Sequence, residues 1–135
     1  MTFFGKIEDF IKENEGDAAM APYIVPLKQG YERMGKAAGW LMENAPKNFD
    51  NAGSASYEMM NIFGIVSLGW MWARMAKISL AKLEAGEGNP DFYKRKLLLA
   101  KIWLEREVPY TTTALERIKL GSEDILSLEQ DGFVA

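Results

Sequence analysis

The stretch IFGIVSLGWMWA, residues Ile62–Ala73, decides the fold of this chain, because it carries no charge and a single polar side chain, Ser67. The residues on both sides continue its helical spacing, so it is predicted to lie inside a long helix. An ordinary bundle helix is apolar along one stripe and faces water with its other side. This helix is apolar all round, so it must be covered from more than one direction, by the rest of the chain or by a partner.

The apolar residues of this long helix fall into three stripes. They are Phe63, Val66 and Trp70; Ile62, Ile65, Gly69 and Trp72; and Met60, Gly64, Ser67 and Met71. Trp70 and Trp72 lie about 200° apart around the helix axis, so they cannot both face one core. We therefore predict a second buried surface on this helix, with five interface candidates: Ile62, Phe63, Val66, Trp70 and Trp72.

Helical patterns separated by turn signals extend from this stretch in both directions. We predict helices over about residues 3–15, 18–46, 54–85, 90–120 and 122–128, and no regular structure over residues 129–135. Ser54 is the expected N-cap of the long helix, Asn89-Pro90 starts the next helix, and Pro109 predicts a kink within that helix. No strand pattern competes with these helices.

Short turns between long helices favour antiparallel neighbours, as in an up-and-down bundle. The chain has 135 residues, which is the size of one ordinary domain. The predicted fold class is therefore all-α. We expect a single domain, residues 1–135, that forms an antiparallel up-and-down helical bundle of about four helices with a short C-terminal turn of helix.

The composition of the chain excludes most catalytic chemistry. There is no cysteine and no histidine, which removes thiolate nucleophiles, Ser–His and Cys–His pairs, zinc sites built on these residues and the Glu-x-x-His di-iron sites of helical bundles. We predict no metal site, and no nucleic-acid partner because no basic stretch is interleaved with aromatic residues. The absence of cysteine suits a reducing compartment, and we expect a cytoplasmic protein with neither a signal peptide nor a membrane-spanning segment.

Two charged groups could carry chemistry, and each has a plainer explanation. Glu105 and Glu107 could act as acid and base, but residues two apart on a helix point in different directions, which favours surface ion pairs. The run Lys94–Lys96 lies in residues 74–119, where ten Lys and Arg stand against six Asp and Glu. Consecutive side chains on a helix fan out, so a solvated basic face is favoured over a phosphate site.

Two long strings of the sequence resemble a known domain. Residues 54–83 carry Ser56, Tyr57, Gly69, Trp70, Trp72, Arg74 and Ala76, and residues 92–128 carry Phe92, Tyr93, Lys96, Ala100, Trp103 and Pro109. Together with the stretch Ala21–Trp40, they resemble the extra C-terminal helical domain of a large bacterial branch of acyl-CoA dehydrogenases, the acetyl-CoA dehydrogenase C-terminal-like domain. The resemblance covers roughly residues 3–130.

The resemblance implies that the chain is part of a longer FAD-dependent enzyme. In such enzymes a glutamate removes the α-proton of an acyl-CoA thioester, the flavin accepts the β-hydride, and an electron-transfer flavoprotein accepts the electrons. Some members of the branch act on fatty acyl-CoA and others on 3-methylmercaptopropionyl-CoA. The body that binds FAD and acyl-CoA precedes the extra domain, so no catalytic or cofactor-binding residue is assigned here and the chain alone is expected to be inactive. Its expected partners are that catalytic body and a second copy in a homodimer.

Two other functions stay open on the sequence. A stand-alone helical interaction module without catalytic activity would dimerise through the apolar long helix, and a reading frame that starts at Met1 would favour it. A small-ligand-binding bundle would place Trp70, Trp103 and Tyr57 around an apolar cavity. An internal pocket with convergent polar groups would favour that second function, although a packed core is the usual role of such aromatic side chains.

Overall fold

A computed structural model of the chain describes residues 2–131, and it confirms the all-α helical bundle. Within those residues the helices are α1 (Phe3–Asn14), α2 (Ala21–Asn44), α3 (Asp50–Ala85), α4 (Pro90–Glu107), α5 (Tyr110–Lys119) and α6 (Glu123–Asp131). A single 3-10 turn, Ala18–Met20, joins α1 to α2. Of the stretch predicted to lack regular structure, residues 129–131 belong to α6 and residues 132–135 lie outside the described part of the chain.

The core lies between α2, α3 and the pair formed by α4 and α5. It is built from side chains that are almost fully shielded from water, among them Ile7, Ile24, Leu27, Ile62, Val66, Leu104 and Ile118. The long helix α3 packs against α2, α4 and α5, and aromatic side chains of α1 cover a further part of it. The helix that is apolar all round is therefore the central helix of the bundle, as its composition requires.

Local side-chain chemistry begins and ends several of these helices as expected. The side chain of Asp17 accepts a hydrogen bond from the Ala19 amide at 3.0 Å, and that of Asn89 accepts one from the Asp91 amide at 3.0 Å. Gly86 closes α3 with a φ of 69°, a left-handed conformation that glycine adopts without a steric penalty. Pro26 lies inside α2, near its N-terminal end, and α2 continues through it.

The long helix begins four residues earlier than predicted, at Asp50, and Ser54 is not its N-cap. The side chain of Asn48 accepts a hydrogen bond from the Asp50 amide at 3.1 Å, so it satisfies a free amide of the first turn from outside the helix. The Ser54 hydroxyl instead donates to the Asn51 carbonyl at 3.1 Å. The sequence-based boundary was wrong because Gly53 was read as part of a turn, whereas it lies within the helix.

The predicted kink at Pro109 is a complete break between α4 and α5. Pro109 has no amide to donate to the Glu105 carbonyl, and its ring crowds that carbonyl. The chain turns instead through a bond from the Thr111 amide to the Val108 carbonyl at 2.9 Å. The buried hydroxyl of Thr111 donates to the same carbonyl at 2.6 Å and accepts from Arg33 of α2 at 3.2 Å, which anchors the start of α5.

Asn51 ties three helix ends together. Its side-chain amide donates to the Asn44 carbonyl at the end of α2, at 3.0 Å. Its side-chain oxygen accepts from both the amide and the hydroxyl of Ser122, at 3.1 and 2.9 Å, just before α6. One side chain near the start of α3 thereby holds the end of α2 and the approach to α6.

Candidate functional site

The five interface candidates of the long helix lie on two of its sides. Ile62 and Val66 are buried in the core of the bundle. Phe63 and Trp70 are partly buried and face α1: the ring centroids of Phe63 and Phe4 are 5.3 Å apart, as are those of Trp70 and Phe3. Trp72 is partly buried against the core. An interface role for these residues stays a prediction, and for Ile62 and Val66 the folded bundle itself occupies their surface.

A third side of α3 is apolar, and no other helix of the described chain covers it. We call it the outer stripe: Tyr57, Met60, Gly64, Leu68, Met71 and Ile78, spaced three, four or seven residues apart along one side of the helix. The side chains of Met60, Leu68 and Met71 are 70%, 53% and 50% exposed. No charged side chain occurs between Glu58 and Arg74 on any side of α3. The stripe is about 30 Å long, the part between Glu58 and Arg74 that has no charged residue is about 22 Å long, and exposed apolar surface of this kind is a candidate interaction site.

Gly64 in the outer stripe and Gly69 on the buried side of α3 have opposite surroundings. A β-carbon on Gly69 would lie 3.3 Å from a Leu104 methyl, 3.4 Å from a Leu27 methyl and 3.5 Å from the Trp103 ring, so Gly69 permits the close approach of α2 and α4. A β-carbon on Gly64 would meet nothing within 4 Å. Packing inside the described bundle therefore explains Gly69 but not Gly64, which costs about 1 kcal/mol of helix propensity.

The helix α4, which packs against α3, carries an exposed apolar row of its own. Trp103 of α4 packs at Gly69, which identifies the side of α4 that adjoins α3. Leu99 precedes Trp103 by one helical turn, and Ile102 lies at the outer edge of the same side; both are more than one-third exposed. Arg95 and Arg106 lie four residues before Leu99 and four after Ile102, and neither forms an ion pair with another described residue. We call Arg95, Leu99, Ile102 and Arg106 the α4 row.

The other groups singled out in the sequence do not form a reactive site. Exposed Glu105 pairs with Lys101 at 3.8 Å, while Glu107 lines a groove between α3 and α5. The ammonium of Lys96 lies over the Phe92 ring at 5.4 Å, so the basic run does not converge on one point. Among residues 2–131, no three potential metal ligands of the His, Cys, Asp and Glu types lie close together.

The aromatic residues proposed for a ligand pocket lie apart. Trp103 packs at Gly69, Trp70 packs against α1, and Tyr57 is an exposed member of the outer stripe. The grooves beside Trp70 and Tyr57 are open to solvent and lie on different parts of the surface. These three side chains therefore do not surround a common cavity.

The perturbed titrating groups belong to surface ion pairs and to partly buried tyrosines. A hydrogen bond from Lys12 lowers the pKa of Glu8, and one from Lys82 lowers the pKa of Glu87. Burial raises the pKa of Tyr23 and of Tyr31. Three ion pairs are involved: Lys12–Glu8 and Lys28–Glu15 line one groove between α1 and α2, and Lys82–Glu87 lies at the end of α3. All three pairs are open to solvent, which is typical of surface ion pairs and not of buried acid–base sites. They explain local stability rather than catalysis.

The sequence revealed the outer stripe only in part. Met60, Gly64, Ser67 and Met71 were recognised as one apolar stripe, but the bulkier tryptophan stripes were preferred as the interface. The available signal was that Gly64 and Ser67 leave the third stripe too small to fill a core. Asn61, the strongly polar residue at the start of the apolar run, is exposed at the edge of a groove between α3 and α5. No helix within the described residues is long and apolar enough to cross a membrane.

Comparison with known proteins identifies a relative and a domain family. The chain is 25% identical over 137 aligned residues to the broad-specificity linear acyl-CoA dehydrogenase FadE5 of Mycobacterium tuberculosis. The alignment covers 96% of this chain but only 22% of that relative, so the chain spans about a fifth of the length of the dehydrogenase it matches. The model of the acetyl-CoA dehydrogenase C-terminal-like family matches residues 3–129. Because that match extends over nearly the whole chain, the protein belongs to this C-terminal domain family of acyl-CoA dehydrogenases.

Proposed function

We propose that the chain serves as the C-terminal structural domain of an FAD-dependent acyl-CoA dehydrogenase, in which it supports the catalytic body. The family match over residues 3–129 carries this proposal. The uncharged, uncovered outer stripe supports it, because a domain that belongs to a larger enzyme needs a surface that the larger enzyme covers. The parent enzyme would oxidise the Cα–Cβ bond of an acyl-CoA thioester.

The grooves formed by residues 2–131 do not fit a flavin. The described grooves are open to solvent, and the groove at the junction of α2, α4 and α5 is lined mainly by proline and aliphatic side chains, without a cluster of donors for a pyrophosphate. We therefore place the FAD, the acyl-CoA and the glutamate base in the catalytic body. By itself this chain would be inactive.

The proposed parent enzyme is a cytoplasmic homodimer that passes its electrons to an electron-transfer flavoprotein. Electron transfer to such a partner follows from the reaction class that the family resemblance implies. The absence of cysteine suits the reducing conditions of the cytoplasm. The dimer contact and the electron-transfer contact are assigned to the catalytic body, which contains the flavin.

The proposal is tested by comparing the 135-residue chain with the complete polypeptide that contains it in the cell. We expect the complete protein to purify with flavin absorbance and to reduce an artificial electron acceptor when an acyl-CoA is added. The chain alone should show neither property. A complete polypeptide that folds but neither binds flavin nor oxidises any acyl-CoA, tested over short, long and sulfur-containing chains, would contradict the proposal.

A second candidate is a stand-alone helical interaction module. The exposure of Met60, Leu68 and Met71 favours it equally, because a second copy could cover the outer stripe. The same comparison separates the two functions. A native polypeptide of the mass of this chain, 15.2 kDa, that dimerises through α3 would support the module and exclude the dehydrogenase domain.

A further inference from the structure

We propose that the outer stripe of α3 and the α4 row together form the surface that docks on the catalytic body. We further infer that the body presents an apolar surface there, with carboxylates opposite Arg95 and Arg106. This inference rests on the proposed function and goes beyond it, because it assigns the contact to one face of the domain and gives the chemistry of the facing surface.

The apolar part of this face is large enough for a stable intramolecular contact. The outer stripe runs for about 30 Å, and the neighbouring axis of α4 adds roughly another 10 Å of width. Leu68 and Met71 on α3 and Leu99 and Ile102 on the adjoining helix α4 are all at least 41% exposed. Interfaces between domains of one chain bury about 600–1,500 Å² in total, and a face of this size is large enough to contribute one side of such an interface.

Gly64 points to the same face independently. It lowers the stability of the helix by about 1 kcal/mol relative to alanine, and nothing within the described chain lies within 4 Å of a β-carbon placed there. At Gly69, by contrast, the missing side chain is matched by the close approach of two helices. The corresponding explanation for Gly64 is the close approach of an element of the body to the middle of the outer stripe.

The charges at the edge of this face indicate which charge the facing surface carries. Arg95 and Arg106 bracket Leu99 and Ile102, so the rim on the α4 side is basic while the centre is uncharged. Arginine is suited to bidentate pairing with carboxylates at the rim of an interface. A rim of this kind fits an acidic border on the facing surface and disfavours a second copy of the same basic border placed against it.

Covalent linkage favours the body over a second copy as the occupant. A domain joined to the rest of its polypeptide meets that polypeptide at an effective concentration on the order of millimolar. A second copy of the enzyme has to compete at its much lower free concentration. The catalytic body, which is covalently linked to the domain, is therefore favoured over a second copy as the occupant of this face.

The natural methionines give a direct test in the complete enzyme. Met60 and Met71 lie on the outer stripe, Met42 on α2 is 81% exposed, and Met20 and Met34 are buried. Under mild peroxide, with oxidation read by peptide mass spectrometry, we expect Met60 and Met71 to oxidise about tenfold more slowly than Met42, close to the buried pair. Oxidation at the rate of Met42 would overturn the proposed docking face.

The charged rim is tested with the same readout. Arg95→Glu combined with Arg106→Glu should loosen the contact and raise the oxidation rate of Met71 several-fold, whereas Lys94→Glu, an exposed charge on another side of α4, should not. If the paired reversals change nothing, the inferred acidic border is wrong. Protection that disappears on dilution of the enzyme would assign the face to a second copy instead. In an enzyme with normal flavin content and activity, oxidation of Met60 and Met71 at the rate of Met42, or protection that is lost on dilution, overturns the docking face and leaves the proposed function standing.

Discussion

At the scale of single residues, Gly64 and Gly69 separate what the domain needs for itself from what it needs for a partner. Both lie in the middle of α3, where glycine weakens a helix. Leu27, Trp103 and Leu104 pack around Gly69, whereas no atom of the described chain lies within 4 Å of the β-carbon position of Gly64. Glycine therefore occurs at these two positions of one helix for different physical reasons.

This difference predicts opposite effects on the stability of the 135-residue chain. Gly69→Val should lower the free energy of unfolding by about 1–3 kcal/mol, because the added carbons overpack the α2–α3–α4 contact. Gly64→Ala should raise it by about 0.5–1 kcal/mol, because alanine is the better helix former and meets open space. Urea unfolding followed by circular dichroism measures both. A loss of stability in Gly64→Ala would contradict the surroundings described for that residue.

Asn51 gives a second prediction at this scale. Asn51→Ala removes the hydrogen bonds to Asn44 and Ser122, so we expect a loss of about 1–3 kcal/mol in the free energy of unfolding, together with faster amide exchange in α6. Asn61→Ala is the matched control, since Asn61 is exposed on the same helix, and its effect should stay within about 0.5 kcal/mol. Equal effects of the two substitutions would contradict the role of Asn51 in holding the helix ends together.

At the scale of elements, the sequence predicted correctly those helix ends that are formed by contacts between neighbouring residues. Gly86 and Asn89-Pro90 act through their own backbone and side chains, so their positions follow from the sequence alone. The start of α3 did not follow, because it depends on Asn48 and Asn51 contacting other parts of the chain. The sequence alone also did not show which stripe of α3 the other helices leave exposed, since that depends on where α1 docks, which only the assembled bundle determines.

The turn after α3 carries a pH dependence that belongs to this scale. The Lys82 ammonium donates to the Glu87 carboxylate at 2.7 Å, which lowers the pKa of Glu87 and raises that of Lys82. Because the folded pKa of Glu87 lies below its ordinary value of 4.5, the stabilisation is present above that pH and is lost as the pH falls through the folded value. Because the folded pKa of Lys82 lies above 10.5, the stabilisation is lost again as the pH rises through it.

Glu87→Gln should therefore lower the melting temperature slightly at pH 7 and have no such effect at a pH below the folded pKa of Glu87. Both side chains are exposed, so added salt should reduce the difference at neutral pH. Differential scanning calorimetry at the two pH values, with and without salt, measures this. A difference between the proteins that grows as the solution is acidified would have the wrong sign for this ion pair.

At the scale of the whole molecule, the bundle is a helical domain with an apolar central helix, one side of which stays exposed among residues 2–131. Its family connects it to acyl-CoA dehydrogenases, of which the relative in Mycobacterium tuberculosis is far longer than this chain. The proposed function assigns the chemistry to the catalytic body and the supporting role to this bundle.

The size and flavin content of the native polypeptide test this account most directly. An antibody against α3–α4, used on an extract of the source cells, identifies the polypeptide, and its mass and absorbance are then measured after purification. The account predicts a polypeptide several times heavier than 15.2 kDa that carries bound flavin. A native polypeptide of 15.2 kDa without flavin would contradict it and leave the helical interaction module as the function of this chain.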